Sequence, residues 1–157
     1  MITSRVLPLP ILVRVVRRLR RQGKRFAFTN GCFDLLHVGH LSYLERIKRH
    51  ADLLIVAVNS DSSVRRLKGF GRPVVPARER ARLVAALKPV DYVTIFSEST
   101  PLKVIRAIRP DLLAKGGDWK AEKIVGARWV RSYGGRVMVV PYLRGHSSSV
   151  LIERSRG

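Results

Sequence analysis

The sequence predicts an α/β protein: a Rossmann-like, doubly wound parallel sheet with helices on both faces, forming a single domain over residues 1–157. Three observations predict it. Short apolar runs alternate with segments whose apolar residues recur at helical spacing. One run, Asp52 to Val58 (DLLIVAV), is almost continuously apolar, as a strand covered on both faces must be. Glycines and unusual polar residues collect just after the strands, where such sheets bind ligands. With 157 residues, 46% of them apolar, the chain can bury one core but not two comfortable ones.

The elements follow in order. Ile11, Val15, Val16 and Leu19 predict a helix over residues 10–22 that Gly23 stops. Residues 1–23 are taken as a basic N-terminal helix and 24–157 as the catalytic core. Lys24 to Thr29 is the first strand. The turn Asn30 to Val38 leads into a helix from about Gly39 to His50, with Leu41, Leu44 and Ile47 on one face. After the strand Asp52 to Val58, Asn59-Ser60-Asp61-Ser62 forms a turn and caps a short helix ending near Leu67. Lys68-Gly69-Phe70-Gly71-Arg72-Pro73 is a charged Gly/Pro loop, expected to be mobile. Ala77 to Leu87 is helical, Tyr92 to Phe96 a strand, and Pro101 to Ile108 a helix with proline in its first turn. Asp111 to Ala114 is a strand, and Lys115-Gly116-Gly117-Asp118 its terminal loop. A helix over Glu122 to Tyr133 stops at Gly134-Gly135, and Arg136 to Val140 is the last strand. A final helix, capped by Ser147 or Ser148, runs to about Arg154.

Charge and composition narrow the function classes. There are 31 basic against 11 acidic residues, a net charge of +20, with 23 Arg against 8 Lys. Such a balance fits anionic substrates, nucleic acid, an anionic surface, or simply solvated faces. The basic residues run from Arg5 to Arg156 without a like-charged tail and are dense only from Arg14 to Arg25, so no obligatory nucleic-acid partner is expected. No apolar run approaches the roughly 18 residues that span a bilayer, so membrane insertion is not expected. Leu7 to Val16 is interrupted by Pro8, Pro10 and Arg14, leads into arginines and lacks a small-residue cleavage site, so it is not read as a signal peptide. The lone Cys32 allows no internal disulfide, and a cytoplasmic location is expected.

The most informative stretch is Phe26 to His40 (FAFTNGCFDLLHVGH). A strand enters a turn of small residues, and His37 and His40 follow, three apart, where a helix begins. Such a junction offers backbone N–H groups and a positive dipole end to an anion, and the histidines add two donors. A helix-start pair of histidines, or metal ligands at i and i+3, would look the same in isolation. Cys32 reads as a small turn residue rather than a nucleophile. Trp119 and Trp129 read as packing residues, although Trp119 stands beside the Lys115 loop.

The run Thr29-Asn30-Gly31-Cys32-Phe33-Asp34 with His37-Val38-Gly39-His40 resembles the signature of the HxGH nucleotidyltransferase superfamily. Ala57-Val58-Asn59-Ser60-Asp61, Lys68-Gly69 with Arg72-Pro73, Val90-Asp91-Tyr92-Val93, Pro110 to Asp118 and Ile124-Val125-Gly126 are similar in order to its D-glycero-β-D-manno-heptose 1-phosphate adenylyltransferase branch. The resemblance covers residues 10–155 and implies transfer of AMP from ATP, with Mg²⁺, to a sugar 1-phosphate by a free-standing enzyme that forms homodimers. A cytidylyl- or adenylyltransferase acting on glycerol 3-phosphate is the alternative, and a non-catalytic nucleic-acid-binding module the rival from another class. The resemblance assigns catalysis to His37, His40 and Lys115. ATP contacts fall to Thr29, Asn30, Gly31, Cys32, Phe33, Gly39, Lys68, Arg72, Gly145, Ser147 and Ser148. Asp34, Asn59, Asp61, Gly117 and Asp118 are assigned to the acceptor, with Asp34 also suited to fixing the turn; no protein-held metal is implied. Where relatives carry a Gly-Cys-Ser-Thr-Thr-like segment, this chain has Gly145-His146-Ser147-Ser148-Ser149.

Overall fold

The computed structural model describes residues 2–157. A 3-10 turn at Ile2–Arg5 precedes α1 (Leu9–Arg21), β1 (Phe26–Gly31), α2 (Val38–Lys48), β2 (Leu53–Asn59), α3 (Asp61–Lys68) and α4 (Ala77–Ala86). There follow β3 (Tyr92–Phe96), α5 (Leu102–Ile108), β4 (Leu112–Gly116), a 3-10 turn at Ala121–Lys123, α6 (Ala127–Ser132), β5 (Arg136–Val140) and α7 (Ser148–Arg156). The five strands form one sheet in the order β3-β2-β1-β4-β5, and every pair is parallel. The predicted fold class is the observed one.

Strand alternation builds two cores. Ala27, Leu54, Val56, Val58, Leu112 and Ala114 point to one face and meet Tyr43, Leu44 and Ile47 of α2 and Ala81, Val84 and Ala85 of α4. Phe26, Phe28, Ile55, Ala57 and Leu113 point to the other and meet α1, α5 and α6. Helix α1 is part of this second layer, with Leu12 and Val16 buried against α5 and the sheet. It starts with Pro10 in its first turn and ends before Gly23, whose φ of +80° glycine adopts without strain.

Two aspartates tie the amino-terminal edge. The Asp111 carboxylate accepts from the Phe26 N–H at 2.7 Å and from Arg20 Nη1 at 3.2 Å, joining α1, β1 and β4. Asp91 accepts from the Leu54 N–H at 2.7 Å and from Lys48 Nζ at 2.6 Å, joining α2 and β2. A cavity of about 330 Å³ lined by Ser4, Arg5, Leu53, Asp91 and Tyr92 opens at this same edge, the end of the sheet away from the histidines.

Three element boundaries depart from expectation. The helix expected over Glu122 to Tyr133 is broken: Gly126 takes φ +85°, and α6 starts only at Ala127. Ile105 of α5 lies so close that a Cβ at Gly126 would sit 2.9 Å from its Cδ1, so the chain must turn there to pass α5. β1 continues through Asn30 and Gly31, which pair with Ala57 and Val58 instead of forming the turn. Lys115 and Gly116 likewise end β4, in register with Val139 and Val140, rather than opening a loop.

Leu12 is fully buried in the second core. Leu12→Ala is expected to lower unfolding stability by about 2–4 kcal/mol in urea titrations. An unchanged midpoint would mean that α1 is not part of the cooperative fold.

Candidate active site

The site forms where β1 and β4 end side by side. After Gly31 the chain turns sharply, with Phe33 in the left-handed region at φ 49°. That conformation costs a non-glycine residue on the order of 1–2 kcal/mol. The turn folds the Phe33 ring back over Gly31, where a Cβ would stand 3.0 Å from Phe33 Cε2, and the ring centroid lies 5.1 Å from that of His40.

His37 is the N-cap of α2, its Nδ1 accepting from the Gly39 N–H at 3.1 Å. A Cβ at Gly39 would lie 2.8 Å from that Nδ1, so the glycine is what lets the ring cap its own helix. His40, one turn on, stacks on His37 with centroids 3.9 Å apart. The Gly39 N–H is a donor, so His37 Nδ1 must be unprotonated, and neutral His37 carries its proton on Nε2. Burial, then the neighbouring His146, pushes the His37 pKa down. Burial, then His37, pushes His40 down to about 4, and His40 Nδ1 is buried without a hydrogen-bond partner among the described residues. The pair is therefore a neutral donor set at the positive end of a helix, with one nitrogen unsatisfied until something binds.

The remaining cations converge on the turn. Burial of Lys115, at the end of β4, lowers its ammonium pKa, and Lys68 adds to the effect. Lys68, Arg80, Lys115 and Arg72 all act electrostatically on the Cys32 thiol, yet burial outweighs them and its pKa is raised. The thiol is thus no activated nucleophile. From the carboxyl-terminal side, Ser147 caps α7 by accepting from the Val150 N–H at 3.1 Å. Ser148 Oγ donates to Leu35 O at 2.7 Å and accepts from the Leu35 N–H at 3.2 Å, latching α7 to the histidine turn. This latch carries His146 to within 6.3 Å of His37, ring to ring.

Arg80 holds the edge together. It is fully buried in α4, and its guanidinium donates to Val75 O (2.7 Å), Cys32 O (2.6 Å), Asn59 O (2.8 Å) and Asp61 Oδ1 (2.7 Å). Asp34, also buried, accepts from Arg72 Nε at 2.7 Å and from the Val74 and Val75 N–H groups at 2.8 and 3.0 Å. Burial pushes the Asp34 pKa up, but the Val75 and Val74 N–H groups and Arg72 outweigh it, and the net shift is downward.

The structure gathers Cys32, Phe33, His37, Gly39, His40, Lys115, Ser147 and Ser148 around one turn, with Lys68 and Arg72 at its side. Gly117 continues from β4, its N–H on Val140 O at 3.0 Å, while Gly145 takes φ +76° and Asp118 is exposed. Six of the assigned residues have partners within the chain. Asp34 ties the turn to the Arg72 loop, and its oxygens are taken. Asn59 is buried with its amide donating to Ser63 Oγ at 2.8 Å, and Asp61 serves Arg80 and the Ala77 N–H. The Thr29 hydroxyl is fully buried against the Tyr43 hydroxyl, and Asn30 and Gly31 belong to the strand ladder. The sequence reading missed three residues: Arg80, His146 as a third ring beside the pair, and Tyr142, whose ring packs over Gly116 and Gly117. Arg80 had a signal. It falls on the apolar stripe Ala77, Ala81, Val84 of α4, where a cation must have buried acceptors.

Comparisons with known proteins bear on the family and the fold. The model of the cytidylyltransferase-like family matches residues 28–153. The bifunctional protein HldE of Geotalea uraniireducens is 49% identical over 153 residues, covering 98% of this chain and 31% of that protein. The HldE of Koribacter versatilis is 54% identical over 143 residues, 91% of this chain and 29% of its own length. The chain thus spans about a third of the curated relatives that it matches. A lipopolysaccharide core biosynthesis protein from Thermoplasma volcanium superposes with a TM-score of 0.64 at 28% identity, over 78% of this chain and 99% of that one. Pantoate-beta-alanine ligase from Francisella tularensis, at 17% identity and a TM-score of 0.65 over 88% of this chain and 67% of its own, shares the fold.

Two outcomes follow from the geometry. Since His40 is held to about 4 in the folded chain against an ordinary value near 6.5, the unfolded chain takes up the proton first as pH falls. Its contribution is complete above about pH 6.5 and is lost toward pH 4, about 3 kcal/mol in all. Chemical unfolding across that range should show a shallower acid loss in His40→Asn than in the parent chain, and equal slopes would contradict the assignment. Arg80→Lys keeps the charge but not the fork of donors, and should cost about 3 kcal/mol or more in the same assay. A loss within experimental error would remove Arg80 from its central place.

Proposed function

The chain belongs to the cytidylyltransferase-like family, and we propose that it is a nucleotidyltransferase moving AMP from ATP to D-glycero-β-D-manno-heptose 1-phosphate. The observation that carries this reading is the neutral, stacked His37–His40 pair at the start of α2, beside Lys115. The HldE relatives and the lipopolysaccharide core biosynthesis protein support the sugar-phosphate acceptor. The rival reading, a nucleic-acid module that has lost catalysis, is not favoured, because the motif residues converge on one point.

In the proposed reaction an oxygen of the sugar phosphate forms a bond to the α-phosphorus of ATP, and the α–β bridging bond breaks to release pyrophosphate. The second pKa of a phosphate monoester is about 6, so the nucleophile is already ionised at neutral pH and no general base is required. The protein must instead align two anions and stabilise the charge that moves to the leaving oxygens. His37 would donate from Nε2–H, His40 from the ring stacked on it, and Lys115 would neutralise charge from the adjoining strand end. The N–H groups of α7 behind Ser147 would meet the distal phosphates. Mg²⁺ enters as part of the Mg·ATP substrate in this reading, since the buried Asp34 is committed to Arg72 and Asp61 to Arg80. A cytoplasmic location and a homodimer belong to the same proposal. Among the described residues no helix is long and apolar enough to cross a membrane.

Pyrophosphate release is measured with ATP or CTP against β-heptose 1-phosphate or glycerol 3-phosphate. Release with ATP and the heptose phosphate alone is the expected result; release with CTP and glycerol phosphate would overturn the substrate assignment. His40→Ala should lower kcat by about 100-fold or more while the chain still folds cooperatively. Lys115→Ala should cost more turnover than Lys120→Ala, and equal losses would place Lys115 outside the site.

A further inference from the structure

Helices α1, α5 and α6 cover one face of the sheet, and none of the three contains an Asp or Glu. Each of α2, α3, α4 and α7 contains one. On α1, Arg14, Arg17, Arg18 and Arg21 are exposed at i, i+3, i+4 and i+7, so they form one outward stripe. Arg106 of α5 and Arg128 and Arg131 of α6 are exposed beside them. The three helices are packed together: α1 against α5 in the common core, and α5 against α6 through Ile105 under Gly126 and Arg109 over the Tyr133 ring at 4.6 Å. Of the acids nearby, Asp111 is committed to Arg20 and Glu98 to Lys103, and Glu122 stands exposed in the 3-10 turn before α6. Among the described residues, none of these seven arginines has an ion-pair partner.

We propose that this face docks on a membrane surface through anionic phospholipid headgroups. Guanidinium groups pair with phosphate in bidentate fashion, and here seven of them stand exposed on one layer of three packed helices. Nucleic acid is disfavoured on the same observations. No single helix projects to enter a groove, and the aromatic rings of the face, Trp129 and Tyr133, are half-buried and engaged edge to face with each other. Among the described residues no large apolar side chain of the three helices is exposed, so the contact is electrostatic and superficial, without insertion. The histidine site lies at the carboxyl ends of the strands, off this face, so docking leaves its mouth open. Each arginine near an anionic leaflet raises partitioning by about fivefold, and the attraction fades beyond a Debye length of about 8 Å at physiological salt.

The test is cosedimentation of the full chain with phosphatidylcholine vesicles, with and without phosphatidylglycerol, at low and high salt. Binding only to phosphatidylglycerol vesicles, released by salt, is expected. The triple variant R17Q/R18Q/R128Q should weaken it by about 100-fold, following the fivefold step per arginine. The charge-matched variant R65Q/R82Q/R154Q, with its changes on α3, α4 and α7, should bind like the parent. Circular dichroism melts confirm that both variants fold, and pyrophosphate release should be unaltered, so the outcome is independent of the catalytic reading. No binding to phosphatidylglycerol vesicles, or equal weakening by the two triples, would overturn the proposal. Duplex RNA that displaces the vesicles and loses more affinity in the first triple than they do would assign the face to nucleic acid and overturn it as well.

Discussion

The Arg80 guanidinium, fully buried in α4, reaches four segments at once: the turn after β1 through Cys32 O, the end of β2 through Asn59 O, the start of α3 through Asp61, and the loop before α4 through Val75 O. Each acceptor belongs to a segment that would otherwise leave polar groups unpaired at the carboxyl edge of a parallel sheet. A buried cation without acceptors would be untenable, so the four segments are held in one arrangement. Asp34 does the same with opposite charge, drawing Arg72 and the Val74 and Val75 N–H groups toward the histidine turn. The two networks meet at Val75, whose N–H serves Asp34 and whose carbonyl serves Arg80. The ligand-facing groups are thus mounted on a framework whose own charges are already satisfied.

What remains unsatisfied at that edge is selective. The histidine rings are neutral, with one orphaned nitrogen, and burial has weakened the hold of Lys115 on its proton. Lys68, Arg72 and Lys115 surround the turn, while the buried Asp34 beside it is neutralised by Arg72. An anion such as the proposed triphosphate would supply the charge that the site lacks. Anion binding should also raise the affinity of the histidines for protons, since opposite charge favours the charged form. The framework and the binding groups are different residues, so one can be rigid while the other responds to ligand.

Much of this was legible in the sequence. The alternation of strands and helices, the buried run of β2 and a helix starting near Gly39 follow from spacing and composition alone. The break at Gly126 was not, because the residues from Glu122 to Tyr133 suit a helix locally and the close approach of Ile105, distant in sequence, to Gly126 leaves no local signal. Asp34, Asn59 and Asp61 stayed ambiguous for a related reason. A polar residue at a strand end has the same sequence signature whether it faces a ligand or a buried arginine. Arg80 accounts for Asp61 and the Asn59 carbonyl, and its place on the apolar stripe of α4 was the one sign of it. His146 became interpretable only when Ser148 was seen to fasten its loop to Leu35.

In the proposed reaction a fixed edge aligns two anions for direct displacement, with no protein group bonding to phosphorus. The most direct measurement is the stereochemical course at the α-phosphorus, using a single diastereomer of ATP bearing sulfur on that phosphorus and the heptose phosphate as acceptor. A single in-line displacement predicts inversion of configuration in the product. Retention would mean two displacements and a covalent intermediate on a histidine or on Cys32, and would contradict the account.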